Sequence, residues 1–491
     1  MQNWQKLSKL PRKDLENLQN QKLREFFKLN FNFHPYYKKL FADNNIDPNS
    51  IKTTENLKKI PFTTKLDLLP TKENPKKFMD FVLQPDEELI KKHFPKYRLL
   101  YWALESRKNF KDFLEHQYKP VHMHFTTGRS AMSIPFLYTQ KDVETLQEIG
   151  LSLLDVFDVK KESIAVNAFP YSPHLAFWLA YNALFAAKIP ALHTGGGKIM
   201  GTEKIMNAVE KMKANLVMAI PGYFYHLLRE SVEKKKDFSS LTHVIFGGEG
   251  ISLGMKNKLK ELLSDVNAQE TKLLSTYAFT EGKAAWGECL LENGESTGYH
   301  LYPDLEFIEL VDPKTGERVN EGEQGEIVYT SLGWNGSVVL RYRTGDICKA
   351  MYYDACPVCG KTVPRLDAKI HRVSEFKAIN LTKIKGNLVN LNEFSEILHS
   401  FKEIGEWQVE LKKKNNDPFE IDEAVVYVAL SKKSEKKTDK NELKQHLLKK
   451  IIAEMEFTPE IVFKDLKELE HMLGLHTELK EKRIVDRREN K

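Results

Sequence analysis

The 491-residue sequence is poor in cysteine, with four in all, and it lacks any apolar run long enough to cross a membrane. So few thiols in so long a chain argue against a disulfide framework and favour a reducing compartment. The best membrane candidate, LAFWLAYNALFAA at 175–187, has 13 residues, whereas a spanning helix needs about 18. The first residues also lack the apolar stretch of a secretory signal. We therefore expect a buried core helix at 175–187, no transmembrane segment and a cytoplasmic protein.

A dominant charge of either sign is missing as well. Lysine and arginine together number 74 and aspartate and glutamate 68, which gives a formal net charge of +6. Because the lysines are spread along the chain and form no basic tail, we expect no nucleic-acid binding. Long repeats and low-complexity segments are also missing from the sequence.

What the sequence does contain is a change of pattern along the chain. Residues 1–118 are charged and mostly helical, with several prolines between the helical stretches. From about 121 to 280, short β-rich runs such as SIAVNAF and HVIFGGE alternate with helical stretches such as TEKIMNAVEKMK. This alternation is typical of a sheet covered by helices. Residues 295–350 are β-rich with turns, which predicts an antiparallel subdomain.

The pattern changes again after about residue 372. The run EAVVYVALS reads as a strand and KNELKQHLLKKIIAEM as an amphipathic helix. Because the chain is also too long for one ordinary domain, we predict an α/β protein with two domains. Residues 1–372 would form a large N-terminal domain with helix-covered mixed sheets plus a β subdomain, and residues 373–491 a small C-terminal α+β domain.

Two short runs contain residues suited to phosphate. TTGR at 126–129 offers threonine hydroxyls, a glycine amide and an arginine, all of which suit phosphate oxygens. Taken alone, a run of this kind is usually an ordinary turn. HTGGGKIM at 193–200 has no Ser or Thr after Lys198, as a Walker loop would, so we interpret it as a loop between a strand and a helix.

The order of further runs along the chain is more informative. They are HPYYKKLFADNNIDPNSIKTTENLKKIPFTTKLDLL (34–69), FGGEGIS (246–252), STYAFTEGKAAWGEC (275–289), VLRYRTGDI (339–347), IHRVSEF (370–376) and LKEKRIVDRR (479–488). With TTGR, this set resembles the adenylate-forming superfamily and, within it, the phenylacetate-CoA ligase-like branch. The resemblance covers nearly the whole chain, and RYRTGD is its most specific motif.

The resemblance implies a site for ATP, later AMP, with Mg²⁺. Residues 126–129 would contact the outer phosphates, Gly248 and Glu249 would lie against adenine, and Tyr277 would stack on its ring. Glu281 would hold Mg²⁺, a cation that prefers carboxylate oxygen. The implied nucleotide-binding residues are Thr126, Thr127, Gly128, Gly248, Glu249, Tyr277, Asp346 and Arg372.

The resemblance also implies how the protein would act. Asp346 would accept hydrogen bonds from the ribose hydroxyls, and Arg372 would contact ribose or phosphate at a hinge. Lys480, on a mobile C-terminal domain, would stabilise negative charge between the carboxylate and the α-phosphate. The implied catalytic residues are Lys480, Glu281, Thr280 and Arg129.

The chain departs from the family pattern at several positions. His124 and Phe125 stand where the family's phosphate loop has a serine and a glycine, and losing that glycine removes a position that tolerates positive φ. Ser374-Glu375 replaces the usual hinge pair of aspartates, and Leu479 replaces the glycine before the lysine. We expect these departures to affect the catalytic rate and the domain rotation more than the fold.

The motif CPVCG at 356–360 is half of a zinc-binding pattern. Cys289 and His300, with Cys356 and Cys359, supply one tetrahedral Cys3His set, and members of the resembling branch can carry such a site. A closed four-ligand zinc site would be structural and would pin the β subdomain to the core. The alternative is a group of buried thiols and a histidine that bind no metal.

The resemblance therefore implies an AMP-forming acid–thiol ligase. ATP would activate an aryl or fatty acyl carboxylic acid to an acyl-adenylate, and the thiol of coenzyme A or of a carrier protein would then take the acyl group. Two alternatives are a degenerate member that binds nucleotide without turnover and a zinc-stabilised interaction protein. The sequence does not indicate which acid is used, and it leaves the oligomeric state open, with a homodimer as one alternative.

Overall fold

The computed structural model describes residues 4–93, 110–126, 134–251, 253–372, 382–384, 387–389, 393–413, 422–435, 437–455, 458–475 and 481–487. The chain divides into two compact units that are interleaved in sequence. Unit 1 comprises Met1–Ser163, Ser172–Ala191 and Thr276–Ile370, and unit 2 comprises Ile164–Tyr171, Leu192–Ser275 and His371–Lys491.

The helices of the described residues vary from single turns to 18 residues. In chain order they are α1 (Trp4–Leu7), α2 (Arg12–Leu29), α3 (Pro35–Asp43), α4 (Lys65–Leu68), α5 (Glu87–His93), α6 (Phe110–Tyr118), α7 (Gln140–Val156), α8 (Leu175–Ala187), α9 (Gly197–Met200), α10 (Thr202–Lys211), α11 (Pro221–Glu233), α12 (Leu253–Asp265), α13 (Glu393–His399), α14 (Lys440–Met455) and α15 (Leu466–Leu473). Short 3-10 turns cover Phe31–Phe33, Pro48–Ser50, Thr54–Lys59, Lys77–Phe81 and Thr280–Gly282.

The strands are mostly short. In chain order they are β1 (Pro120–Phe125), β2 (Pro135–Thr139), β3 (Ala165–Asn167), β4 (Ala191–His193), β5 (Leu216–Ala219), β6 (His243–Phe246), β7 (Lys272–Phe279), β8 (Ala284–Leu290), β9 (Ser296–His300), β10 (Glu306–Val311), β11 (Gly325–Ser331), β12 (Tyr342–Cys348), β13 (Met351–Tyr352), β14 (Arg365–Leu366), β15 (Ile370–Arg372), β16 (Thr382–Ile384), β17 (Asn387–Val389), β18 (Ile404–Lys413), β19 (Asp422–Leu430), β20 (Glu460–Phe463) and β21 (Ile484–Asp486).

Antiparallel pairing dominates the sheets of unit 1. The second half of β7 pairs with β8, and the order continues through β9 and β14 to β13, with antiparallel neighbours throughout. β10, β11 and β12 form a second antiparallel sheet, and β1 pairs with β2. All seven residues of β11 are buried, so this strand is covered on both faces. The antiparallel region that the sequence predicts after residue 295 is therefore present.

Unit 2 contains the parallel strands. β4, β3, β5, β6 and the first half of β7 lie side by side in that order, and β3, β5, β6 and β7 run parallel. Helices α10, α11 and α12 supply the apolar side chains that pack with these strands in one buried core, including Ile205, Phe224 and Leu259. Strands joined through helices give parallel pairing, as the alternating pattern of the sequence predicts.

The C-terminal part of unit 2 has its own core. β18 and β19 form a long antiparallel pair, with β21 and β20 added in parallel at the outer edges. Phe394 of α13 and Leu447 of α14 are buried against strand residues such as Trp407 and Val426. This is the α+β arrangement that the sequence predicts. The boundary that we predict, between residues 372 and 373, stays a prediction, because residues 373–381 lie outside the described residues.

Helix α8 meets the expectation of a buried core helix only in part. Leu175, Leu179 and Leu184 are buried, whereas Tyr181 is 36% and Phe185 65% exposed. The rings of these two aromatic residues, one turn apart, stack with their centroids 6.0 Å apart. Among the helices that the structure describes, none combines the length and the apolar character needed to cross a bilayer.

His34 anchors the N-terminal helices to the rest of unit 1. Its ring is fully buried, and its Nε2 lies 3.0 Å from the carbonyl oxygen of Val338. Its Nδ1 accepts a hydrogen bond from the backbone of Tyr37 at 3.3 Å. Because a carbonyl only accepts, Nε2 carries the proton and the ring is neutral. Burial, as the largest effect, lowers the pKa of His34 from 6.5 to about 4.

Acid should destabilise the fold through His34. The unfolded chain takes up a proton on this ring as the pH falls below about 6.5, while the folded chain resists protonation until about pH 4. Stability contributed by the neutral ring is therefore present above pH 6.5 and is lost as the pH falls toward 4. A shift of this size corresponds to roughly 3 kcal/mol at most.

The variant His34→Gln should lower stability near neutral pH and remove this part of the acid dependence. Urea unfolding of both proteins at about pH 7, 5.5 and 4.5 measures the effect, and the two midpoints should converge as the pH falls. The difference between the proteins cancels contributions from other buried histidines. A constant gap between the midpoints would contradict the assignment.

Candidate functional site

The RYRTGD run places an aspartate on an irregular part of β12. Between Ile347 and Arg343, β12 has two more residues than the facing stretch of β11, so the strand bulges at this point. Gly345 has φ +76°, a left-handed conformation that favours glycine. The backbone N–H of Asp346 donates to the Thr344 hydroxyl at 3.0 Å. Bulges of this kind re-aim side chains at functional sites, and here the bulge positions the buried Asp346 carboxylate.

Tyr277, on the second half of β7, reaches this carboxylate. Its hydroxyl donates to Oδ2 of Asp346 at 2.8 Å. The half-buried ring stacks on Trp286 of β8, its register partner, with centroids 5.6 Å apart and planes inclined by 28°. The structure thus brings together two residues that the sequence assigns to adenine and ribose, although they are 69 positions apart.

The turn Thr280–Gly282 directly follows β7. The hydroxyl of Tyr342 donates to Oε1 of Glu281 at 2.8 Å, and both side chains are buried. A Cβ on Gly282 would lie 2.7 Å from the ring of Phe279, so this position requires glycine. Glu281, which the sequence assigns to Mg²⁺, is therefore fixed by a turn that cannot easily change and by a tyrosine of the RYRTGD run.

A buried ion pair secures the same turn, and sequence reasoning missed it. Lys283 follows the turn, and its ammonium lies 2.9 Å from Oδ2 of Asp142 with both side chains almost fully inaccessible. Asp142 also accepts hydrogen bonds from the backbone N–H groups of Asn335 and Gly336, each at 2.8 Å. Burial lowers the pKa of Lys283, and the Asp142 carboxylate opposes this effect. Removing one partner of such a pair is strongly destabilising.

The start of the predicted phosphate loop is held by backbone contacts. Thr126 is buried, and its hydroxyl accepts a hydrogen bond from the Ile134 N–H at 3.0 Å. The N–H of Phe125 donates to the Pro173 carbonyl at 2.7 Å, and Nδ1 of His174 lies 2.9 Å from the Phe125 carbonyl. The loop's remaining predicted residues, Thr127, Gly128 and Arg129, lie outside the described residues.

The two histidines before this loop form a pair. Nε2 of His122 lies 2.9 Å from Nε2 of His124. Burial is the main cause that lowers the pKa of His124 to about 3, and the neighbouring His122 adds to it. His124 is therefore neutral at physiological pH.

Other predicted residues lie in unit 2. Gly248, just after β6, is exposed and has φ +84°, and Glu249 beside it is half-buried. Arg372 is the last residue of β15. Lys480 lies outside the described residues, as do Ser374, Glu375 and Leu479.

The chain immediately after Lys480 is firmly packed within unit 2. Nη1 of Arg483 donates to Oε2 of Glu406 at 2.6 Å, and Nη1 of Arg229 donates to the other oxygen, Oε1, at 3.1 Å. A Cβ on Gly222 would lie 1.7 Å from Oε1 of Glu481, so a larger residue at this position would displace the glutamate carboxylate. The segment that directly follows Lys480 is therefore held by residues of α11 and β18.

The four candidate zinc ligands come together in unit 1. One donor atom from each of Cys289, His300, Cys356 and Cys359 lies within 4.8 Å of the others. Sulfur atoms about 2.3 Å from a shared zinc are separated by nearly 4 Å, so the group needs only a small contraction to hold the ion. The spacing therefore fits a closed structural site.

The orientation of His300 also fits a metal ligand. Its Nδ1 lies 3.0 Å from the Gly287 carbonyl and so carries the proton, which leaves the Nε2 lone pair facing Cys359 Sγ at 3.3 Å. A backbone partner of this kind orients ligating histidines in metal sites.

Comparison with known proteins shows similarity to AMP-binding enzymes and to coenzyme A ligases. A family model described as "AMP-binding enzyme" matches residues 149–334. Phenylacetate-coenzyme A ligase of Thermus thermophilus is 24% identical over 379 residues, which cover 76% of this chain and 74% of that protein. The ligase of the same name from Escherichia coli is 24% identical over 430 residues, covering 86% of this chain and 84% of that protein.

Solved structures agree with the fold. A 2-hydroxyisobutyryl-CoA ligase in the postadenylation state, in complex with an HIB-AMP ligand, matches 98% of this chain and 91% of its own, with TM-score 0.74 and 17% identity. The same ligase with CoA in the thioesterification state gives TM-score 0.60 and 18% identity. At these identities the likeness concerns the fold alone, and it confirms the α/β class that the sequence predicts.

Proposed function

This chain belongs to the adenylate-forming superfamily, in its phenylacetate-CoA ligase-like branch, and we propose that it joins a carboxylic acid to coenzyme A with cleavage of ATP to AMP. The observation that carries the proposal is the contact between Tyr277 and Asp346 on the bulged RYRTGD strand. An aromatic ring and an adjacent buried carboxylate suit a nucleoside, since one stacks on the base and the other accepts from ribose hydroxyls.

The reaction has two steps. A carboxylate oxygen of the acid attacks the α-phosphorus of ATP, the bond to the bridging oxygen breaks, and pyrophosphate leaves. The coenzyme A sulfur then attacks the carbonyl carbon of the acyl-adenylate, and AMP leaves with the electron pair of the broken C–O bond. Catalysis of this kind rests on positioning and charge stabilisation.

The residues present would serve these steps as follows. The 126–129 loop would bind the outer phosphates, with Arg129 adding positive charge. Thr280 would contact the phosphates, and Glu281 would hold Mg²⁺, which offsets the charge of the departing pyrophosphate. Lys480 would stabilise the charge that builds up between carboxylate and α-phosphate.

The family resemblance assigns three more residues to the nucleotide. Gly248 and Glu249 would lie against the adenine, and Arg372 would contact ribose or phosphate. We further propose that the C-terminal domain, from about residue 373, rotates between the two steps. Rotation would withdraw Lys480 after adenylation and admit the thiol.

The acid is proposed only as a class. An aryl or fatty acyl group suits the aromatic residues of the stretches 167–181 and 278–288, where Phe177 and Trp286 are buried. Coenzyme A is the proposed acceptor, with a carrier-protein thiol as the alternative. We also propose the cytoplasm as the location, because its reducing conditions keep metal-binding thiols unoxidised.

A second candidate function is nucleotide binding without turnover. The altered start of the phosphate loop favours it, because Phe125 has a side chain where the family has glycine, and its backbone is bonded on both sides, to Pro173 and His174. A loop that starts from a fixed position has less freedom to close over phosphates.

Product analysis separates these functions. The protein is incubated with Mg²⁺, ATP, coenzyme A and a panel of aryl and aliphatic acids, and AMP and the acyl thioester are measured by mass spectrometry. The ligase function predicts equal amounts of AMP and thioester with at least one acid. AMP that forms without thioester would point to another acceptor. Nucleotide-dependent thermal stabilisation with no AMP would favour the second candidate.

We also propose a structural zinc on Cys289, His300, Cys356 and Cys359. Protein purified without metal-affinity resin should contain about one zinc per chain, and Cys356→Ser should lose the metal and melt at lower temperature, because metal binding is coupled to folding. Cys348→Ser is the matched control: this buried thiol contacts the Ala350 carbonyl and lies outside the cluster, so the variant should keep its zinc. Less than a tenth of an equivalent in the unmodified protein would refute the site.

A further inference from the structure

The chain leading into β12 lies against the N-terminal segment of unit 1. The Leu83 N–H donates to the Gly336 carbonyl at 3.2 Å, and the Val338 N–H donates to the Phe81 carbonyl at 2.8 Å. With the bond from His34 to Val338, three N-terminal groups hold the first residues of the stretch 336–341. One of these groups, His34, is the first residue of the motif at 34–69.

Tyr37 and Thr63 continue this contact toward β12. The hydroxyl groups of the two side chains lie 2.8 Å apart, and the Thr63 hydroxyl donates to the Leu340 carbonyl at 2.9 Å. The Leu340 N–H donates back to the Tyr37 oxygen at 2.5 Å. All three residues are fully buried, so water does not compete for these hydrogen bonds.

The backbone of Thr63 then pairs with β12 itself. Its N–H donates to the Arg341 carbonyl at 3.0 Å, and its carbonyl accepts from the Arg343 N–H at 2.9 Å. Thr63 and Tyr342 thus form an isolated parallel bridge. Because both neighbours of Tyr342 are bonded to Thr63, the direction of the Tyr342 side chain is set from the N-terminal segment.

Arg341 adds to this constraint. Its φ is +45°, which is uncommon for a residue with a side chain. Its guanidinium is bonded to Glu309 at 2.9 Å and to the Ile60 carbonyl at 2.9 Å, and it lies 4.0 Å from the Phe62 ring centroid. These contacts hold the unusual conformation just before Tyr342.

We propose that Tyr342 is a positioning residue for adenylation: its phenol orients the Glu281 carboxylate toward Mg²⁺-ATP, and Tyr37 and Thr63 hold Tyr342 in place. The phenol–carboxylate distance of 2.8 Å and the burial of both side chains make this a strong, charge-assisted hydrogen bond. The inference rests on the proposed function, in which Glu281 binds the cation.

The variant Tyr342→Phe tests it by removing one oxygen atom. In thermal-shift titrations with ATP, and in acid-dependent ATP–pyrophosphate exchange, the half-saturating Mg²⁺ concentration should rise on the order of tenfold. The maximal exchange rate should fall by a similar factor. The KM for the acid should stay unchanged. Tyr302→Phe is the matched control, since its hydroxyl is also fully buried and donates to the Ala285 carbonyl at 2.9 Å. It should leave the Mg²⁺ dependence as it is.

Thr63 provides a second variant that acts from the other end of the contact. Thr63→Val removes the hydroxyl and should shift the Mg²⁺ dependence in the same direction by a smaller factor, and Thr63→Ser should restore it. Because Thr63 acts through Tyr342, the double variant Thr63→Val/Tyr342→Phe should show no larger shift than Tyr342→Phe alone. Additive shifts would overturn the proposed order of action.

The outcomes distinguish this inference from the function on which it rests. If the unmodified protein exchanges pyrophosphate and Tyr342→Phe keeps its Mg²⁺ dependence, the inference is wrong and the function stands. If Glu281→Gln also keeps the Mg²⁺ dependence, the assignment of Glu281 is wrong. If the unmodified protein shows no exchange with any acid, the proposed function itself fails.

Discussion

Replacing Lys480 with alanine should reduce acid-dependent ATP–pyrophosphate exchange on the order of 10²- to 10³-fold. One charge contact in a water-poor site contributes roughly 3–4 kcal/mol to lowering the barrier, and the proposed role of Lys480 is confined to the first step. The same variant should form thioester at a normal rate from chemically supplied acyl-adenylate, since rotation would have withdrawn the lysine by then. Measuring both half-reactions separately is the required experiment.

Lys482 is the natural control for this experiment. It lies two residues further on, and its backbone N–H donates to the Leu473 carbonyl at 3.0 Å, so it belongs to the part of the chain that is anchored in unit 2. Lys482→Ala should leave both half-reactions near normal. If Lys482→Ala loses exchange and Lys480→Ala does not, our assignment along the C-terminal segment is shifted. If both variants lose both steps equally, the rotating-lysine mechanism does not apply to this protein.

The variant Asp346→Ala should weaken ATP binding strongly while leaving the fold intact. The carboxylate is the proposed acceptor for the ribose hydroxyls, and losing a hydrogen bond to a charged group weakens binding by roughly 1.5–3 kcal/mol. The dissociation constant should rise at least ten- to a hundredfold. Isothermal titration calorimetry with ATP and Mg²⁺ is the measurement.

Two further variants test separately the charge of the Asp346 carboxylate and its hydrogen bond with Tyr277. Asp346→Asn keeps the shape and an acceptor oxygen but removes the charge, and it should bind ATP with intermediate affinity. Tyr277→Phe removes the hydroxyl that donates to Oδ2 of Asp346 at 2.8 Å and keeps the stacking ring. It should therefore lose less ATP affinity than Asp346→Asn. Unchanged ATP affinity in Asp346→Ala would refute the nucleotide site.

The parallel part of the fold could be predicted because its signal is local. Strands such as β5 and β6 are short apolar runs between helical stretches, and each element can be read within about ten residues. The strands of the antiparallel region after residue 295 can likewise be recognised from short local stretches. The exposure of Phe185 was not foreseen, because an apolar helix does not show in its sequence whether all of its faces are covered.

The candidate site could be predicted only as far as its motifs. Tyr277, Glu281 and Asp346 were assigned because each lies in a recognisable run, and the structure brings Tyr277 and Asp346 into contact. The pairing of Lys283 with Asp142, 141 positions away, depends on tertiary packing, and no local pattern indicates it. Tyr342 lies inside the most specific motif, but its bond to Glu281 depends on how β12 packs against the turn Thr280–Gly282.

The contacts of the N-terminal motif at 34–69 also depend on tertiary packing and could not be predicted. Tyr37 and Thr63 belong to the family signature at 34–69, which by itself implies no role for either residue. Their contacts reach Leu340, 303 positions from Tyr37 along the chain. A role in holding β12 could be inferred only once the two segments were seen side by side.

Acid-dependent ATP–pyrophosphate exchange by the unmodified protein tests the central claim most directly. The assay follows labelled pyrophosphate into ATP with Mg²⁺, in the absence of coenzyme A, over a panel of aryl and aliphatic acids. The account predicts exchange that requires one class of acid and disappears when the acid is omitted. A protein that is stabilised by ATP but shows no exchange with any acid would contradict the claim that it forms an acyl-adenylate.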